Sequence, residues 1–145
     1  MSQEQRLTER IRKYWDQIRK ENTYPDIKQF NTSIVEDIWP YCFRISVDKG
    51  GSDSFKYEYM GTLLIDLYGN DLTGLTINYN MKGVMGSVIH KRMEEVYKTG
   101  MPQQEEGHII NKQGKMVKYR ACVLPFGNPR EGMTHIVVCM SHRAF

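Results

Sequence analysis

Few side chains in this 145-residue sequence are of types that do chemistry at useful spacings. Three cysteines, Cys42, Cys122 and Cys139, form no CxxC pair, and each sits in an apolar stretch, where a buried reduced thiol is expected. On adjacent strands they could approach one another near His135, four residues before Cys139. Zinc is conceivable there, although the spacing matches no short zinc signature. His90 lies in a stretch of helical periodicity, and a neutral imidazole can ligate a metal. At roughly 100° per residue it points about 120° away from the apolar face centred on Ile89 and Val96, as a surface histidine would. Glu105 and Glu106 lie near His108, but on a segment that reads as an edge strand, where charges guard against aggregation. No nucleophile elbow, phosphate-binding Gly-rich loop, His-Glu-x-x-His or dinucleotide fingerprint is present.

The remaining candidates are phenols among apolar groups. Tyr57, Tyr59, Leu63, Leu67, Tyr68, Val88, Ile89, Met93, Tyr119, Ala121 and Val123 fall on positions predicted to face a space between sheet and helices. They make either a packed core or a small-molecule pocket with tyrosine hydroxyls as polar anchors.

The elements that must position these groups follow from periodicity. Leu7, Ile11, Tyr14 and Ile18 recur at spacings 4, 3 and 4, with Trp15 beside them, which predicts an amphipathic helix over about 4–21. Arg6, Arg10, Lys13, Gln17 and Lys20 mark a neighbouring basic stripe. Residues 25–40 read as a connector, in which Ser33 and Glu36 fit a capping box for a short helix ended by Pro40. Tyr41, Phe43, Ile45 and Val47 alternate on one face of a strand, and 55–59 alternates again. Lys49 to Ser52 is the turn between the two strands. Leu63 to Tyr68 reads as a short helix stopped at Gly69, 70–74 as a loop with a short helical turn, and Lys82 to Thr99 as a long helix with Met85, Val88, Ile89, Met93 and Val96 on one face. Three strands close the chain, at about 103–111, 116–124 and 133–142, with a loop from Pro125 to Gly132. The last is apolar on both faces from Ile136 to Met140 and belongs in the middle of its sheet. This is an α+β fold with an antiparallel sheet covered by central helices.

Composition bounds the function. Hydrophobic residues are 40% and charged residues 26%, an ordinary globular balance, and no apolar run approaches the roughly 20 residues of a membrane span. The first residues show no apolar secretory region, so the cytoplasm is the expected compartment. The net charge of +3 arises entirely in residues 1–20, where six Lys/Arg meet three acids. The body is neutral, which disfavours nucleic acid and membrane surfaces as partners.

Tyr14-Trp15 with Arg19 and Pro25, the run Phe55-Lys56-Tyr57-Glu58-Tyr59-Met60-Gly61-Thr62, and the loop Tyr68-Gly69-Asn70-Asp71-Leu72-Thr73-Gly74 occur in a telling order. Together they resemble a PAS domain, and look most like the stand-alone PAS-like family of alphaproteobacteria. Asn78-Tyr79-Asn80-Met81 is more polar than that family's pattern. The resemblance implies a five-stranded antiparallel sheet in the order 2-1-5-4-3, with helices over one face. It divides the chain into an N-terminal helix (1–24) and one PAS-like domain (25–145). It implies a sensor or adaptor in bacterial signalling with no attached output domain, working through a small ligand or through contacts with a signalling protein in trans. It also implies a homodimer, for which Leu7, Ile11, Tyr14, Trp15 and Ile18 are the interface candidates; the same residues could instead cover their own sheet. No cofactor is the first expectation. Haem is the alternative, since haem-binding relatives carry their proximal ligand where His90 lies, seven residues before Tyr97. The flavin subclass needs an Asn-Cys-Arg motif before the long helix, and no cysteine occurs between Cys42 and Cys122. An enzyme on this scaffold is a further alternative, with no reaction to nominate.

Overall fold

The computed structural model describes residues 3–48, 55–77 and 86–144, with side chains described for 5–48, 55–77 and 89–143. Helix α1 spans Gln3–Arg19. It stops just short of the predicted end because Lys20 takes a left-handed φ of 53°.

The connector departs from its expected form. The capping box forms at Asp26 and Gln29, around a 3-10 turn over Ile27–Gln29. Ser33 cannot cap, because its Oγ donates to Asn31 Oδ1 (2.6 Å) and its N–H donates to the same oxygen (3.0 Å). Residues 32–38 are therefore turns rather than a helix. A second 3-10 turn, Trp39–Tyr41, contains Pro40, and it takes Tyr41 out of the strand that the alternation assigned to it.

The sheet follows: β1 (Cys42–Val47), β2 (Phe55–Met60), β3 (Gln103–Ile110), β4 (Met116–Asn128) and β5 (Gly132–Ala144), all antiparallel in the order β2-β1-β5-β4-β3. Between β2 and β3 lie α2 (Thr62–Tyr68) and α3 (Gly86–Thr99). Gly69 caps α2 at φ 88°. Residues 70–74 form turns without a helical one. The expected turn at 49–52, the polar run 78–81 and the expected helix start at 82–85 lie outside the described residues.

β4 runs through Pro125, where a loop was expected. Its pairing with β3 begins at Gln103 opposite Val123, so beyond Leu124 one edge of β4 has no strand neighbour. A proline there removes no ladder bond on that side. The connector covers this edge, with Gly127 N donating to Pro25 O (2.8 Å). The free edge of β2 is likewise covered, since Tyr57 N donates to Leu75 O (3.0 Å) and Ile77 N to Phe55 O (2.8 Å).

β5 is central and buried on both faces, as its double-sided apolar run requires. Ile136, Val138 and Met140 face an inner core shared with α2 and α3. Val137 and Cys139 face an outer core roofed by α1. Leu7, Ile11, Tyr14 and Trp15 are buried in that outer core, with Ile18 packed against it, so the apolar stripe of α1 lies on the chain's own sheet. Trp15 Nε1 donates to Pro125 O (2.8 Å), which fixes α1 over β4. No helix among the described residues is long and apolar enough to cross a membrane.

Candidate functional site

The inner core gathers three phenols among apolar side chains. Tyr57 comes from β2, Tyr119 from β4 and Tyr68 from the end of α2. Phe43 of β1 lies against two of them, with ring centroids 5.3 Å from Tyr57 and 6.2 Å from Tyr68. Tyr68 Oη donates to Met140 Sδ (3.1 Å). Tyr119 lies opposite Gly107 of β3, where the missing side chain leaves room for the ring. Burial pushes the Tyr68 hydroxyl well above its ordinary pKa, and the neighbouring Tyr57 and Tyr119 add to the rise. Burial alone raises Tyr57. Burial, then Glu105, raises Tyr119. At neutral pH the site is therefore a set of neutral phenols that donate and accept hydrogen bonds.

The structure brings most of the predicted pocket residues together. Tyr57, Leu67, Ile89, Met93, Tyr119, Ala121 and Val123 belong to one buried cluster, and Tyr68 packs against it. Two do not join it. Leu63 is 37% exposed, because α2 turns Leu64 and Leu67 inward at a spacing of three and leaves Leu63 on the solvent side. Tyr59 leaves the inner face at a β-bulge: Ile45 pairs with Tyr57 and Arg44 with Tyr59, so one extra residue on β2 inverts the alternation. Tyr59 stacks instead on Trp39 (4.7 Å, 7° between planes). The side chain of Val88 lies outside the described residues. Sequence reasoning missed Met140 as the partner of Tyr68. The alternation of Ile136, Val138 and Met140 on β5 could have supplied it.

His90 corrects another expectation. It is 2% exposed rather than a surface histidine. Its ring meets the edge of Phe55 (5.9 Å), and its Nδ1 lies 3.0 Å from Glu94 Oε1. The buried stripe of α3 is wider than its most apolar residues suggest, because Phe55 lies against both His90 and Tyr97.

The three cysteines are free and buried beneath α1. His135 lies four residues along β5 from Cys139 and meets Glu58 instead (Nε2 to Oε2, 3.4 Å). Among the described residues no group of three or more His, Cys, Asp or Glu is arranged to hold a metal ion. On the edge strand β3, Glu105 pairs with Arg92 (2.7 Å) and Glu106 with Arg120 (2.6 Å). A cleft of about 500 Å³ opens between the end of α3, Thr23-Tyr24 and the β4–β5 turn, and it contains none of the three inner tyrosines.

Comparison with known proteins places this geometry. The family model of the PAS domain matches residues 3–141, α1 included. No curated protein matches this sequence. Among solved structures, VqmA bound to DPO shares 13% identity at a TM-score of 0.57, over 77% of this chain and 57% of that one. A Vibrio cholerae VqmA dimer, solved in the absence of target DNA, shares 12% at 0.57, over 79% and 52%. This chain thus spans little more than half of either VqmA chain. The photo-excited blue-light photoreceptor Vivid shares 14% at 0.52, over 90% and 93%. At such identities the likeness is one of fold. The family match, in contrast, covers nearly the whole sequence and agrees with the 2-1-5-4-3 sheet under α2 and α3, so the chain belongs to the PAS domain family.

Proposed function

We propose that this PAS domain is a sensory module that holds a small polar-apolar molecule against the inner face of its sheet, anchored by Tyr57, Tyr68 and Tyr119. The convergence of three phenols within the inner core carries this reading. Phenol hydroxyls both donate and accept, so they suit the polar end of a small molecule whose remainder is apolar. The ligand would act by population shift, favouring one arrangement of α2 and α3 on the sheet and so changing contacts with a second copy or with a signalling protein in trans. The apolar stripe of α1 is occupied by the chain's own sheet, so those contacts would use other surfaces.

Native mass spectrometry beside a denatured control tests the proposal. A mass excess lost on denaturation, and weakened in Tyr68→Phe, is the expected result. A clean polypeptide mass, with no thermal shift across a metabolite collection, would remove the ligand from the proposal.

A second reading, haem ligation by His90, has one observation behind it. A carboxylate on Nδ1, as Glu94 supplies, is how proteins orient an imidazole whose other nitrogen ligates a metal. Titration with haemin reads it directly, and a Soret spectrum identical in His90→Ala would end it.

A further inference from the structure

Three cysteines far apart in the sequence form a row on the outer face of the sheet. Cys42 of β1 lies directly opposite Cys139 of β5, and Cys139 lies directly opposite Cys122 of β4. All three are free and buried in the core beneath α1. Directly opposed residues of antiparallel strands have Cα atoms about 4.5 or 5.5 Å apart. Both values fall within the span of about 4.4–6.8 Å that a disulfide accepts. Cys42 and Cys122 are two strand spacings apart, about 9.5 Å, and are beyond that reach. Cys139 therefore has two possible partners, and each of the others has one.

The row is closed to solvent by α1 over β4 and β5 and by the connector over Cys42, whose Sγ donates to Ile38 O (3.4 Å). The seat of α1 rests on the Trp15–Pro125 hydrogen bond, the Arg10–Asp37 ion pair (2.6 Å) and Tyr14 Oη accepting from Asn31 N (2.9 Å). While α1 is seated, burial, with Cys139 adding to it, pushes Cys42 up, and likewise pushes Cys122 to about 12. Protonated thiols are poor nucleophiles. Packed layers open locally at less cost than global unfolding, and water then reaches the row.

We propose that the Cys42–Cys139–Cys122 row is an oxidation site gated by α1, at which a peroxide drives formation of one disulfide through Cys139. When α1 lifts, one thiolate attacks hydrogen peroxide. The O–O bond breaks, one water leaves and a sulfenic acid remains. The neighbouring thiol attacks that sulfur, the S–O bond breaks and a second water leaves. Two thiols and one peroxide become one disulfide and two waters, with two electrons passing from sulfur to peroxide oxygen. The third thiol stays beside the new bond and can exchange it along the row. Bonding also draws two sulfurs to about 2.05 Å and reshapes the floor on which α1 rests.

The test uses the full chain, hydrogen peroxide, and alkylation in denaturant before intact-mass measurement. The wild type is expected to finish with one alkylatable thiol and a mass lower by two hydrogens. Trp15→Phe keeps the ring burial and loses the bond to Pro125, so oxidation is expected to be about five-fold faster. Cys42→Ala and Cys122→Ala each retain an adjacent pair and still form a disulfide, whereas Cys139→Ala forms none. An intramolecular disulfide in Cys139→Ala at the wild-type rate would overturn the proposal. So would oxidation that stops at sulfinic acid, or a rate indifferent to Trp15→Phe. Should Cys139→Ala fail to fold by circular dichroism, peptide mapping of the oxidised wild type decides instead. A Cys42–Cys122 link there refutes the row.

Discussion

Replacing Trp15 by alanine tests whether α1 is part of the domain's own core. Trp15 is 2% exposed, packs in the outer core and holds Pro125 O with its indole N–H. Truncating a buried Trp to Ala costs about 3–5 kcal/mol in lost transfer energy and cavity. The Pro125 carbonyl loses its partner beneath α1, which adds about 1 kcal/mol after partial rehydration. The sum, about 4–6 kcal/mol, is a large part of the roughly 5–15 kcal/mol that a domain of this size has in total. With a urea slope of about 2 kcal/mol/M, the midpoint should fall by about 2–3 M. Far-UV circular dichroism follows the transition, and Trp39 supplies a second, fluorescent probe. A fall below about 0.5 M would refute the reasoning and take the stripe of α1 out of the domain's own core.

Three further outcomes are expected. Gly61→Ala should destabilise by several kcal/mol in urea titration, since an added Cβ would overlap the carbonyl of Pro40 and stand 2.8 Å from Trp39 O, both rigid backbone; a variant as stable as wild type would show that the α2 start can move away. Leu63→Ser should change stability by less than about 0.5 kcal/mol while Leu64→Ala costs about 2–4, because only the second is buried; equal losses would mean that Leu63 covers something. Stability should also fall in alkali. Cys42, Cys122, Tyr57, Tyr68 and Tyr119 all have folded pKa values raised above the ordinary 9.0 or 10.0, so above those pH values the unfolded chain has released protons that the fold retains. The loss begins near pH 9, steepens past 10 at up to about 1.4 kcal/mol per pH unit per group, and should be shallower in Tyr68→Phe. A flat urea midpoint from pH 8 to 11 would contradict the burial of these groups.

What the sequence made legible was local. The 4-3-4 spacing of Leu7 to Ile18 reports a helix whichever surface it meets, and the double-sided run Ile136 to Met140 places β5 centrally because only a covered strand needs two apolar faces. The misreadings of Tyr59, Pro125 and His90 depend on a partner distant in sequence. The bulge that turns Tyr59 outward exists only in the pairing of β2 with β1. Pro125 breaks a lone strand by local rules, yet sits in β4 because β3 has already ended there. Helix periodicity turns His90 outward, and it is Phe55, thirty-five residues earlier, that packs against it. The cysteine row is the same kind of fact, since register across three strands aligns residues that no spacing rule relates.

β5 joins the two proposed sites through consecutive residues. Met140 points inward and accepts from Tyr68; Cys139 points outward, between Cys42 and Cys122. Interiors packed at crystal-like density do not absorb displacement locally, so a central strand that shifts on one face shifts on the other. A ligand that drew the Tyr68 hydroxyl away from Met140 would therefore act one residue from the thiols that support α1. Cysteine alkylation rates of the native chain, with and without such a ligand, read that coupling. A rate changed by ligand in wild type and unchanged in Tyr68→Phe would identify β5 as the element both faces bias. A rate indifferent to a ligand already seen by native mass spectrometry would mean that the two faces of the sheet work independently.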